Sequence, residues 1–283
     1  MSSKFVCGLM LTAAFTISAA PARADAGWSF STGADYTTGK YGEDITTNIL
    51  IIPFSAAYST DRWRFGVTAP YVRVDGSGNI VPGAGAAPGG LSGAGDPLST
   101  ATGGVTPSGL FGSTPAAPAP PTPTRIEEQG LGDITLSVGV TPLIASNGAR
   151  LALGLDVRTP TGDEAKSLGA GQTIAALSVG YSHPIGERSA IYGGVGYQRA
   201  FDSGADSVTA TIGAEGYITE HWMFGASAQY AQASLDRQAN QSQASLYAGL
   251  DVSPHLRLVG YAVAGLTDTA PDSGGGVRLV FHP

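Results

Sequence analysis

Trp222-Met-Phe224-Gly-Ala226-Ser-Ala228-Gln-Tyr230 alternates residue by residue. One face of this nonapeptide carries Trp222, Phe224, Ala226, Ala228 and Tyr230, and the other carries Gly225, Ser227 and Gln229. A period of two is that of a β-strand with unlike surroundings on its two faces. The same pattern recurs upstream, where Ile134, Leu136, Val138 and Val140 oppose Asp133, Thr135, Ser137 and Gly139. It recurs again where Leu151, Leu153, Leu155 and Val157 oppose Arg150, Gly154, Asp156 and Arg158. Carried along the chain, the pattern predicts twelve strands over 28–38, 45–59, 63–74, 131–142, 150–160, 172–183, 189–200, 207–218, 222–233, 242–252, 256–267 and 274–281. Gly, Pro, Asp and Asn punctuate them, and no helical period competes. Two stretches leave their facing open: Ile49-Leu-Ile-Ile52 is apolar on both sides, and Leu256 to Leu266 fits either register.

The connections alternate in length. Thr60-Asp61-Arg62, Ile185-Gly186-Glu187-Arg188, Thr219-Glu220-His221 and Ser253-Pro254-His255 are tight turns, with 143–149 slightly longer. The other set, 39–44, 75–130, 161–171, 201–206, 234–241 and 268–273, is longer and variable. An even strand count with short turns on one rim and long loops on the other is the plan of an outer-membrane barrel. A soluble sandwich would set Lys and Glu on its wet faces, whereas the polar faces here are built from Gly, Ser, Thr and Gln. The apolar faces then lie against lipid, where only a closed sheet pairs every backbone N–H and C=O. Trp28, Tyr36, Tyr58, Trp63, Tyr71, Phe201, Trp222 and Tyr230 fall near strand ends, as interfacial girdles require. The last strand, Val277-Arg-Leu279-Val-Phe281, ends on an aromatic, the signal that assembly machinery reads, followed here by His282 and Pro283. The predicted fold is an all-β, transmembrane, antiparallel up-and-down β-barrel of about twelve strands in the outer membrane of a Gram-negative bacterium. Its partners are outer-membrane lipids, the β-barrel assembly machinery and a small-molecule solute, and it is expected to be monomeric.

Composition agrees with this plan. The 283 residues include 41 Gly and 18 Pro without a collagen period, and 42% hydrophobic residues are too many for a disordered chain. With 15 basic against 22 acidic residues, nucleic-acid binding is excluded as a dedicated role. Met1-Ser-Ser-Lys4, an apolar run from Phe5 to Ala20, and Ala22-Arg23-Ala24 read as a signal peptide (1–24) cleaved after Ala24. Cleavage removes Lys4, Arg23 and Cys7, leaving 13 basic against 22 acidic residues and no thiol. The expected barrel unit is 25–283, with 76–124 inserted between its third and fourth strands. That insert has one charge, Asp96, in 49 positions, with 12 glycines and 9 prolines. Its Pro115–Pro123 run cannot pair as a central strand, so the segment reads as a flexible external loop or as a lid over the lumen.

Motifs for chemistry are lacking. The sequence holds no Gly-x-Ser-x-Gly, His-Glu-x-x-His or Gly-Lys-Ser/Thr pattern. Gly83-Ala-Gly85 lies in low complexity with no helix after it, and Asp75-Gly-Ser77-Gly-Asn79 has Ile80 where a calcium loop needs its turn glycine. His183, His221 and His255 sit at short turns and share a rim without ligand spacing. No catalytic residue, cofactor or metal is expected. The candidate residues are those that alternation turns inward: Asp35, Arg64, Asp133, Asp156, Arg158, Gln198, Glu215, Gln229, Asp251 and Arg278. They read as a lumen lining whose field selects the solute, or as an internal network that rigidifies a small barrel. Five acids against three arginines point to a weak cation or neutral preference.

Gly130-Leu131-Gly132-Asp133 opens one strand, Pro160-Thr161-Gly162-Asp163 ends the next, and Val195-Gly196-Tyr197 lies in the strand after the following hairpin. In this order they resemble the outer-membrane family of the MetA-pathway of phenol degradation, best over about 130–281. The resemblance implies a barrel that passes small, often aromatic or hydrophobic compounds, and it brings no catalytic residues. The expected function is passive passage of such a solute. The alternatives are a non-conducting structural or surface-interaction barrel and an outer-membrane hydrolase.

Overall fold

The computed structural model describes residues 26–81, 114–115, 124–232 and 240–283. The signal peptide expected over 1–24 and nearly all of the Gly/Pro/Ala-rich insert lie outside the described residues. Among those described, the strands are β1 (Gly27–Gly39), β2 (Thr47–Ser59), β3 (Trp63–Ser77), β4 (Ile80–Val81), β5 (Thr114–Pro115), β6 (Arg125–Leu131), β7 (Ile134–Ile144), β8 (Arg150–Thr159), β9 (Ile174–Ile185), β10 (Ser189–Ala200), β11 (Asp206–Tyr217), β12 (Trp222–Ala231), β13 (Gln241–Ser253), β14 (Leu256–Gly265) and β15 (Ser273–Phe281).

Every ladder is antiparallel and, apart from β3 with β6 and β7 and the closure of β1 onto β15, joins neighbours in sequence, β2 pairing with β3. The sheet is therefore a closed barrel with no free edge. It has twelve staves, because β6 and β7 are one stave broken in the middle: β3 pairs with β7 over Trp63–Thr68 and with β6 over Tyr71–Ser77. The break falls at Gly132-Asp133, opposite Pro70, whose nitrogen has no proton to give; Gly132 N still donates to Pro70 O at 2.8 Å. Pro70 faces Pro53 across β2 and β3, and the β1–β2 pairing likewise skips 33–34 against 52–53.

Two expected boundaries move. β3 runs to Ser77, and its partner stave begins at Arg125 rather than at 131. Alternating apolarity does not mark this extension; crossed charges do, with Arg73 paired to Glu127 and Arg125 to Asp75 on the outer face. Ile80–Val81 and Thr114–Pro115 form a two-stranded bridge between parts of the insert, outside the barrel sheet.

Side-chain exposure separates the two faces. Ile212 is 68% exposed, Leu246 67% and Leu177 59%, among a continuous outer surface of Leu, Val, Ile, Phe and Trp. A surface this apolar is stable only against hydrocarbon. At the short-turn end it carries stacked pairs Trp28–Phe30, Trp63–Phe65 and Trp222–Phe224 at 5.9–6.2 Å, and Trp28 also meets Tyr58 at 5.4 Å. Both open registers are settled: Ile49 and Ile51 point inward, as do Arg257, Val259, Tyr261 and Val263.

Candidate functional site

The site is the barrel interior. Nine of the ten candidate residues lie on the inner face of their strands, Asp133 is buried in the break between β6 and β7, and they form separate groups rather than one ring. On β1 and β15, the Asp35 carboxylate is fully buried, forms an ion pair with Arg278, and accepts a 2.5 Å hydrogen bond from the Tyr261 hydroxyl. Arg278 Nε and Nη1 find no partner among the described residues. Beside Tyr261 in the β13–β14 ladder, the Tyr247 hydroxyl donates to Glu215 Oε2 at 3.2 Å and lies 3.0 Å from the Tyr192 hydroxyl. Asp251 pairs with Arg257, whose Nη2 also donates to Tyr217 at 2.9 Å. On the opposite flank Asp156 accepts from Ser137 at 2.6 Å, and Arg158 is buried in the fields of Asp133 and Asp156. Arg64 donates to Ser59 Oγ at 3.2 Å, and Gln229 accepts from Gln243 at 3.2 Å. Gln198 is buried opposite Ser207.

Three of the interior tyrosines share one placement. Tyr192 faces Gly213, Tyr247 faces Gly225 and Tyr261 faces Gly276 in direct cross-strand pairs on the inner face. A Cβ at Gly213 or Gly225 would fall onto the ring of its partner, so each ring lies flat over a glycine and crosses toward the next strand. These tyrosines were missed as site residues. The signal was present as Tyr on a polar face with Gly opposite, but it needs the register to be seen. Arg257 was missed as well, and it shifts the interior charge balance away from the acidic excess expected from the ten residues.

Asp133 has a different part from the other acids. Its Oδ1 accepts from Gly162 N at 2.9 Å and its Oδ2 from Ala170 N at 2.7 Å, so one carboxylate clamps both ends of the loop after β8. The Thr161 hydroxyl meets Ile134 N at 2.8 Å and Gly132 O at 3.3 Å. Asp163 then caps a short 3-10 turn, Glu164–Lys166, by accepting from Ala165 N. The Ser167 hydroxyl donates to Gly78 O at 2.7 Å, and Leu168 is driven into the barrel against Val72 and Val74. The loop folds inward onto β3. The Gly132-Asp133 and Gly162-Asp163 motifs, distant in sequence, are thus two sides of one joint.

Apolar packing continues through the interior. Tyr41, Ile49 and Ile80 form one cluster near the loops, Val72, Val74 and Leu168 a second, and Met223, Tyr247, Tyr261 and Val263 a third. Ile51 packs against all three. A groove of about 440 Å³ lies instead largely on the lipid side, where Trp222, Phe224, Leu246 and Leu258 surround Ala248 and Ala262. The four histidines sit at the short-turn rim, where His183 stacks on Tyr181 and His255 contacts the carbonyl of His282 at 2.8 Å. No group of three or more His, Cys, Asp or Glu among the described residues has metal-binding geometry.

A family model described as "Putative MetA-pathway of phenol degradation" matches residues 92–282. Among solved structures, an outer membrane channel from Pseudomonas putida F1 superposes with a TM-score of 0.63 at 14% identity, covering 95% of this chain and 100% of that one. The translocator domain of the autotransporter NalP from Neisseria meningitidis superposes with a TM-score of 0.52 at 10% identity, covering 90% and 88%. Both likenesses are likenesses of fold. No curated protein matches the chain.

Proposed function

This chain belongs to the family of the MetA-pathway of phenol degradation, and from that premise we propose that it is a passive channel for a small, largely apolar solute. It is an outer-membrane β-barrel. The observation that carries the reading is the apolar continuity of the interior, in which three packed clusters share Ile51 from the loop end to the tyrosine layer. A barrel built for ions or sugars keeps a polar, water-filled bore. Here Ile51 and the clusters that it joins give part of the inner wall an apolar lining. The buried charges are largely neutralised in place, as in Asp35–Arg278 and Asp251–Arg257, and so create little net field for an ion. The inward loop at Leu168 would set the bore, and no energy-coupling element is needed.

The test uses proteoliposomes with lipopolysaccharide in the outer leaflet, a barrier that apolar molecules cross slowly. The expected result is protein-dependent influx of labelled toluene that exceeds influx of glucose. No protein-dependent influx of toluene from correctly folded protein would overturn the reading, and would favour a barrel with a structural role.

A further inference from the structure

Beyond the apolar clusters, the strands β10–β13 carry a second surface. Above the tyrosine layer, β11–β13 turn Ser207, Thr209, Thr211, Ser227, Gln229, Gln243 and Ser245 inward, with Gln198 beside them on β10, and none of these is charged; β9 and the end of β10 add the buried apolar Ile174, Ala176 and Ala200. The register places them side by side: Gln198 with Ser207, Thr211 with Gln229, Gln229 with Gln243, and Ser227 with Ser245. In the ring of twelve staves β11 lies six places from β2 in either direction, and β12 stands likewise to β3. The polar strip thus confronts the wall made by Ile49, Ile51, Val72 and Val74, on which Leu168 rests. In this half of the interior an apolar patch on β2 and β3 faces strands rich in neutral hydrogen-bonding groups.

Part of this strip is satisfied internally. The Ser227 and Ser245 hydroxyls share a 2.6 Å hydrogen bond, and Ser207 donates to Gln232 O at 2.5 Å. Part is left over. Gln243 is 6% exposed, spends its amide N–H on Gln229, and its carbonyl Oε1 is buried without a partner among the described residues, as is Ser178 Oγ. Thr209, Thr211 and Gln229 are half-buried and form the accessible part of the strip, behind which Gln243 holds the Gln229 amide in place. Neutral donors and acceptors without a charge beside them reward an uncharged polar edge and offer a carboxylate nothing to offset its desolvation.

Resting on the channel reading above, we propose that the hydroxyl and amide strip of Thr209, Thr211 and Gln229, backed by Gln243, is the specificity surface. It selects uncharged amphiphiles that lay an apolar body toward Ile51 and a hydrogen-bonding edge on the strip, and it rejects carboxylates of the same shape.

The experiment measures protein-dependent influx of toluene, benzamide and benzoate into the same lipopolysaccharide-bearing proteoliposomes at pH 7. Wild-type protein passes benzamide faster than benzoate. The Gln229→Leu/Gln243→Leu double variant keeps volume and strand propensity but removes both amides; the ratio of benzamide to toluene influx falls roughly tenfold, the value of one to two hydrogen bonds. Thr209→Val/Thr211→Val is a second, isosteric variant with the same expected direction, and the gel shift between boiled and unboiled samples checks folding. A ratio of benzamide to toluene influx unchanged in both variants, or benzoate passing as fast as benzamide in the wild type, overturns the specificity surface. Absence of protein-dependent influx for all three probes in the wild type overturns the channel itself, a distinct result.

Discussion

Two sets of ion pairs show how position decides what a charge is for. Inside, Asp35 and Arg278 are 0% and 4% exposed; at the loop-end rim, Arg73 and Glu127 are 49% and 64% exposed. Both sets join adjacent strands. The inner pair had to be stripped of water, which costs several kcal/mol per ion, and it repays this only through mutual attraction and the added Tyr261 bond. The outer pair gave up little and holds little. The largest expected effect therefore comes from removing one inner partner. Arg278→Ala leaves a buried carboxylate uncompensated and should cost about 3–5 kcal/mol in urea unfolding from detergent or lipid. Asp35→Asn/Arg278→Leu, which removes both charges, should recover most of the loss. A double variant as unstable as the single one would mean that the pair itself, rather than its neutrality, holds β1 to β15.

A smaller effect tests the tyrosine layer between these extremes. Gly225→Ala would place a methyl group against the Tyr247 ring, whose hydroxyl is held by Tyr192 and Glu215 and cannot swing away freely. Overpacking of this kind costs about 1–3 kcal/mol. Tyr247→Leu in the same background should relieve it, and unfolding midpoints of the two variants measure the difference.

The strands were legible because period-two alternation is a direct imprint of lipid on one side and a crowded interior on the other. That parity put Asp35, Arg158, Gln229 and the rest of the ten, apart from Asp133, on the inner face. It failed where both faces are apolar, so Ile51 and the inward facing of Arg257 and Tyr261 could not be read from residues alone. It also failed above the membrane. There Arg125-Ile-Glu-Glu-Gln129 has no lipid to alternate against, and the stave continues through cross-strand charges whose partners are some fifty residues away. The inward loop was hidden for a third reason. Leu168 is buried only because Asp133 and Ser167 bind backbone groups from distant segments, and nothing local to 161–171 announces that fold. What those ten residues do toward a solute is the part that no residue pattern carries.

The Asp133 clamp offers a test that bears on local order more than on global stability. Asp133→Ala frees the Gly162 and Ala170 N–H groups, a loss of about 1–2 kcal/mol confined to the loop. Hydrogen exchange at these two amides should speed up roughly tenfold while the strands keep their protection. If the loop narrows the bore, toluene influx rises in the same variant. Faster exchange without faster influx would show that Leu168 closes a space that the solute does not use.

The rim pairs are expected to give the smallest effect, and that smallness is informative. Arg73 reaches Glu127 and Arg125 reaches Asp75 diagonally across the same two strands, with Asp75 directly opposite Glu127, so the four charges form a crossed ladder at the loop-end rim. Each pair alone is worth about 0–1 kcal/mol because water solvates the ions nearly as well as they solvate each other. Arg73→Ala should shift the unfolding midpoint within this range, and raising NaCl to 1 M should abolish the difference between variant and wild type, since exposed pairs are screened over a few ångströms at that strength. Arg278→Ala should keep its full deficit at the same salt, because no ions reach Asp35. A rim variant whose deficit persists in 1 M NaCl would place the β3–β6 extension in a drier environment than open solvent, and the contrast between the two sets of pairs would then be one of degree only.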